Sequence, residues 1–231
     1  MKSQKVTNVG SAVHGKWYGD ACGTAFALEL VGERWSLLII RELMLGPRRF
    51  SDLRASLPGI SAKVLTERLA SLEDAAVLVK RKLAPPASSQ VYELTEWGYR
   101  AEPAIQELGR WAAMSSGHDP LLPLSPVSLM LSLRTMFDPA KAEGWNATIG
   151  FDLAGETFVA RLEDGSLPIE RGDPQSAQAI FRAPAAPVIA GMFYAGAPVD
   201  ELERDAGLAI EGDRATALRF ADIFELPEKL T

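Results

Sequence analysis

The sequence predicts two domains: a mainly α-helical N-terminal half closed by one β-hairpin, and an α+β C-terminal half with a five-stranded sheet. Three observations predict this. Up to about residue 114, apolar side chains recur at the three- and four-residue spacing of helices. Residues 115–126, SSGHDPLLPLSP, then concentrate three prolines and a glycine, the composition of a linker. Beyond them, runs of apolar–polar alternation take over, framed by apolar helical segments. The expected organisation is a tail over 1–20, a helical domain over 21–114, the linker, and an α+β domain over 127–231.

With 47% apolar and 23% charged residues, each half can bury a core and stay soluble. The start, MKSQKVTNVGSAVHGKW, lacks the apolar stretch of a secretory signal. No run approaches the roughly 18 apolar residues of a membrane span. One cysteine, Cys22, allows neither an intramolecular disulfide nor a thiolate metal cluster. A cytoplasmic protein with no membrane partner is the expectation. The net charge of −6 conceals an asymmetry. Residues 1–118 hold 15 Lys+Arg against 12 Asp+Glu, a net of +3, and residues 119–231 hold 9 against 18, a net of −9.

In the first half, a helix is expected from about Ala21 to Val31, ended by Gly32 in a left-handed turn. A second, Glu33 to Leu45, sets Trp35, Leu38, Ile39 and Leu43 on one face until Gly46-Pro47 stops it. Ser51 is a plausible N-cap for a short helix over Asp52–Leu57, and Pro58-Gly59 turns the chain. Ser61 then caps a helix from Ala62 to about Asp74, with Leu65, Leu69 and Leu72 facing inward. Two short helices around a tight glycine turn form a helix-turn-helix unit. The outer face of the second offers Ser61, Lys63, Thr66 and Arg68 to base edges and phosphates, with Glu67 placed to pair with Lys63. Two β-prone runs, Val77–Leu83 and Gln90–Thr95, flank a Pro/Ser loop and read as a hairpin. Lys80, Arg81 and Lys82 on its outgoing strand suit a wing lying along a phosphate backbone, and Arg48 and Arg49 are further phosphate candidates.

Cys22 followed by GERW, then RRF, LPGIS, LTERL and LTEWG in this order, resembles the HxlR family of winged-helix regulators from about Cys22 to Trp111. The resemblance implies a homodimer on double-stranded DNA, with recognition helices in successive major grooves of a palindromic operator, most often as a repressor. It also implies dimer contacts through the terminal helices, here Ala21–Val31 and Pro103–Met114. Some family members sense electrophiles or oxidants through a cysteine at the place of Cys22. The alternative is a lone cysteine acting as a small buried hydrophobe.

In the second half, Asn146–Leu153 alternates, with Ala147, Ile149, Phe151 and Leu153 on one face. Further strands are expected around Phe158–Leu162, Leu167–Ile169, Ala179–Phe181 and Leu208–Ile210, with Asp164-Gly165 a hairpin turn. Apolar helices are expected over Ser128–Phe137, Ala185–Ala195 and Asp213–Phe224. This pattern resembles the sterol carrier protein type 2-like fold over residues 126–226. The resemblance implies an apolar small-molecule effector in a cavity lined by Met130, Leu133, Phe137, Phe158, Met192, Phe193, Phe220 and Phe224. The same residues can equally be a filled core.

No catalytic site, metal site or cofactor is expected. The two histidines, His14 and His118, fall in the tail and the linker, and GxSxG, GxxxxGK[ST], HExxH and GxGxxG are all missing. A hydrophobic-ligand carrier dimerised by its winged half is the rival reading. The cation run on the hairpin argues against it.

Overall fold

A computed structural model describes residues 18–83, 89–120 and 122–230 of the chain. His14, most of the expected tail and the tip of the hairpin lie outside the described residues. The chain divides into two compact units. One holds the described residues up to Leu43 with Pro47–Arg100, the other Met44–Gly46 with Ala101 onward.

The first unit opens with α1 (Gly23–Val31) and α2 (Ser36–Leu43). The expected second helix began too early. Trp35 stands before it with φ +83°, outside the helical region, and α2 buries Ile39, Ile40 and Leu43 while Leu38 points outward. Gly32 does cap α1, but in the right-handed region, so the expected left-handed turn is corrected. The helix-turn-helix follows as α3 (Phe50–Ser56) and α4 (Ala62–Asp74). The N-cap of α3 is Arg49 rather than Ser51, because the Asp52 carboxylate accepts the Arg49 backbone N–H at 3.4 Å and starts the helix early. Gly59 at φ +91° makes the turn. Ser61 caps α4 as expected, its hydroxyl accepting the Val64 N–H at 3.2 Å. Leu65, Leu69 and Leu72 are buried.

The hairpin pairs β1 (Leu78–Lys82) with β2 (Gln90–Leu94) in antiparallel register. Arg48 adds a third edge, exchanging both backbone hydrogen bonds with Tyr92 at 2.9 and 2.8 Å. A short helix, α5 (Glu96–Tyr99), closes the unit, with Gly98 packed so closely under Val77 that a side chain there would strike its carbonyl.

The second unit begins with α6 (Glu102–Ala113) and α7 (Pro126–Met136), which pack on each other. Arg134 of α7 donates to Glu102 at 2.6 Å and to the Ile169 carbonyl. The five strands are β3 (Ala147–Leu153), β4 (Glu156–Leu162), β5 (Ile169–Arg171), β6 (Ala179–Ala183) and β7 (Ala209–Gly212). They align in the order β5-β4-β3-β6-β7, antiparallel except for the parallel pair β3–β6. Asp164 and Gly165, at φ +49° and +74°, form the expected two-residue turn, with Glu163 and Ser166 exchanging hydrogen bonds across it. Three helices, α8 (Ala186–Ala195), α9 (Val199–Asp205) and α10 (Arg214–Ala221), complete the unit.

Phe151, Phe158 and Phe181 share the sheet face that meets α8 and α10. On the other face Pro174 lies against Gly150, and Arg182 bridges Asp152 and Glu211.

Candidate nucleic-acid interface

Burial of Leu65, Leu69 and Leu72 fixes which side of α4 is left outside. Lys63 is the most prominent group there, 86% exposed, with only a 3.9 Å contact to Glu67 one turn on. An exposed i,i+4 pair of this length is weak and easily given up to a phosphate. Ser61 and Thr66 are exposed beside it, although Ser61 serves as the cap and the Thr66 hydroxyl donates to the Ala62 carbonyl at 2.9 Å. Arg68 is placed differently. It lies on the flank of α4 and pairs with Glu33 at 3.1 Å. Sequence periodicity could not reveal that partner, which sits in the loop between α1 and α2.

Along the hairpin, alternation separates the three cations. Lys80 and Lys82 stand opposite Tyr92 and Gln90 on one face, and Lys80 lies over the Tyr92 ring at 5.8 Å. Arg81 is on the other face and forms an ion pair with Glu93. The run therefore places two cations on one face and the third, paired with Glu93, on the other.

The two adjacent arginines also divide. Arg48 is buried and donates to the Ser56 hydroxyl at 3.0 Å, which ties the hairpin edge to α3. Arg49 is exposed, its Nε donating to the Ser89 hydroxyl at 3.1 Å. Arg49 thus lies at the N-terminus of α3 and beside the hairpin. Of the predicted contact residues, Arg49, Lys63, Lys80 and Lys82 are the cations that are exposed and not held in a close ion pair among the described residues.

Cys22 is exposed at the N-cap of α1. The Thr24 and Ala25 N–H groups, with the Thr24 hydroxyl, hold its thiol pKa below the ordinary value. Its own N–H donates to Asp20 at 2.9 Å.

In the second unit the proposed cavity residues are brought together, chiefly against one another. Phe193 meets Phe151, Phe181, Phe220 and Phe224 with ring centroids 5.3 to 6.4 Å apart, and Phe137 meets Phe224 at 6.4 Å. Met130 and Leu133 are buried on α7, as is Met192 on α8. Phe158 lies toward the sheet edge under the Arg171 guanidinium, 4.9 Å from it. The buried Tyr194 hydroxyl bonds with Ser132 at 2.9 Å, and burial pushes its pKa up.

Residues 30–119 match the family model for the HxlR-like helix-turn-helix. The HTH-type transcriptional regulator YodB of Bacillus subtilis (strain 168) is 40% identical over 86 residues, covering 37% of this chain and 77% of YodB. The chain belongs to the HxlR family. YvaP of the same organism, another HTH-type transcriptional regulator, is 39% identical over 87 residues, 37% of this chain and 80% of YvaP. Among solved structures, reduced YodB aligns with 35% identity over 43% of this chain and 100% of its own, at a TM-score of 0.39. Quinone-bound YodB aligns with 37% identity over 38% and 93%, at 0.34. The chain is thus an HxlR-type DNA-binding transcriptional regulator over its first half. The family match ends at residue 119, so it takes in α6 and leaves α7 and the five-stranded sheet outside it. No described helix is long and apolar enough to cross a membrane, and no group of three or more His, Cys, Asp or Glu among the described residues could hold a metal.

Proposed function

We propose that this HxlR-family chain is a homodimeric repressor that seats α4 in the major groove of a palindromic operator and lays its hairpin along the phosphates. The observation that carries the reading is Lys63, nearly fully exposed on the face of α4 opposite the buried leucines. Ser61 and Thr66 beside it supply donors and acceptors for base edges, while Arg49, Lys80 and Lys82 supply phosphate charge. Exposed apolar side chains on two helices, Phe26 and Leu28 on α1 and Leu108 and Trp111 on α6, support the dimer. A gel shift with the DNA upstream of its own coding sequence tests the reading. A shifted band abolished by unlabelled specific duplex is expected; binding no tighter than to random duplex contradicts it.

Two inputs are proposed for the switch. The first is chemical modification of Cys22 by electrophiles or oxidants, supported by an exposed thiol with a lowered pKa. Mild peroxide is expected to weaken operator binding by the wild type but not by Cys22→Ser. The second is an apolar effector held by a sterol-carrier-like second unit, supported by the Phe/Met cluster between its sheet and helices. Native mass spectrometry is expected to show a dimer carrying extra mass that denaturation releases.

A further inference from the structure

The loop joining α1 to α2 is fastened to the turn of the helix-turn-helix and to its second helix. Trp35 adopts φ +83°, a region that bulky side chains rarely occupy, so its surroundings impose the conformation. Those surroundings are specific. The indole edge lies 3.8 Å from where a Cβ on Gly59 would stand, in the turn between α3 and α4, and the Arg34 guanidinium covers the ring at 5.3 Å. The Trp35 carbonyl accepts the Ile39 N–H at 2.9 Å and so starts α2.

Two residues before Trp35, the Glu33 carboxylate takes Arg68 of α4 at 3.1 Å. Arg68 is only 21% exposed, and its Nε is buried with no hydrogen-bond partner among the described residues. It stands five positions after Lys63, about 140° around the helix, so the two side chains leave α4 on different faces. The second attachment of the loop is therefore this ion pair. Together the two contacts hold the turn and the recognition helix against one short segment.

We propose that Glu33 and Arg68 are positioning residues for DNA recognition. Their pair sets the angle at which α4 presents Ser61, Lys63 and Thr66 to the bases, and Arg68 itself touches no DNA. The proposal rests on the reading of α4 as the helix that enters the groove. Base readout depends on donor geometry, whereas binding to random duplex depends mainly on cation count. Loosening the pair should damage the first and spare the second. Simple destabilisation of the fold would lower both alike.

The test uses the full-length protein and two duplexes, one enriched by in vitro selection on the wild type and one of scrambled sequence. Binding to each is followed by fluorescence anisotropy across a salt series. Glu33→Gln is expected to reduce the preference for the selected duplex about tenfold, the size of one lost base contact, with scrambled binding and its salt slope unchanged. The charge-exchanged protein, E33R with R68E, is expected to recover the preference. An unchanged preference in Glu33→Gln overturns the proposal. So does an exchanged protein whose salt slope falls by about one, because that places Arg68 on a phosphate. Failure of the wild type to enrich any duplex is a separate result, and it removes the DNA reading on which the pair rests.

Discussion

Cys22 owes its chemistry to two backbone N–H groups that the helix start leaves unpaired, a consequence of position that the sequence discloses only once the end of α1 is known. A thiol pKa below the ordinary value means more thiolate at neutral pH. The rate of alkylation by iodoacetamide should therefore rise and level off at lower pH than for free cysteine; a midpoint at or above that of free cysteine would refute the lowered value. Ser61 is the opposite case, legible from the sequence because an N-cap is a local arrangement of a hydroxyl and an N–H three residues on. Ser61→Ala should cost about 1 kcal/mol of stability in chemical denaturation. Arg68 was not legible, because its partner Glu33 lies in another element. Nor was Trp35, whose left-handed backbone contradicts every local preference of a bulky residue and is set by the neighbouring turn.

Elements with a strong period or a local turn code could be read directly. α4, the β1–β2 hairpin and the Asp164-Gly165 turn are of this kind, since each is fixed by side chains within a few residues. α9, VDELERD, was missed because it buries no residue and so carries no apolar stripe. On the hairpin, alternation turns three consecutive cations into two faces, and this yields a prediction about the wing. Arg81→Ala should leave the salt dependence of DNA binding nearly unchanged, because its guanidinium is already neutralised by Glu93. Removal of Lys80 or Lys82 should flatten that dependence. Equal effects at all three positions would show that the run acts as one stripe.

For the whole chain, the charge split between the halves favours a DNA surface on the first, a modest argument beside where the cations fall. Where the units divide was less legible. α6 continues the helical pattern of the first half, yet it belongs to the second unit, where Arg134 holds it through Glu102. The second unit depends on its aromatic cluster, in which Phe220 touches Phe151, Phe193 and Phe224. Phe220→Ala should cost about 3–5 kcal/mol in denaturation, and a much smaller loss would mean that the cluster encloses space already. The central claim is that α4 and the hairpin meet DNA through Lys63, Lys80 and Lys82. The most direct measurement is the slope of log affinity against log salt for the wild type and for a protein with all three changed to alanine. A slope smaller by roughly three is predicted, about one per phosphate contact. An identical slope with undiminished affinity would place the DNA elsewhere on the protein.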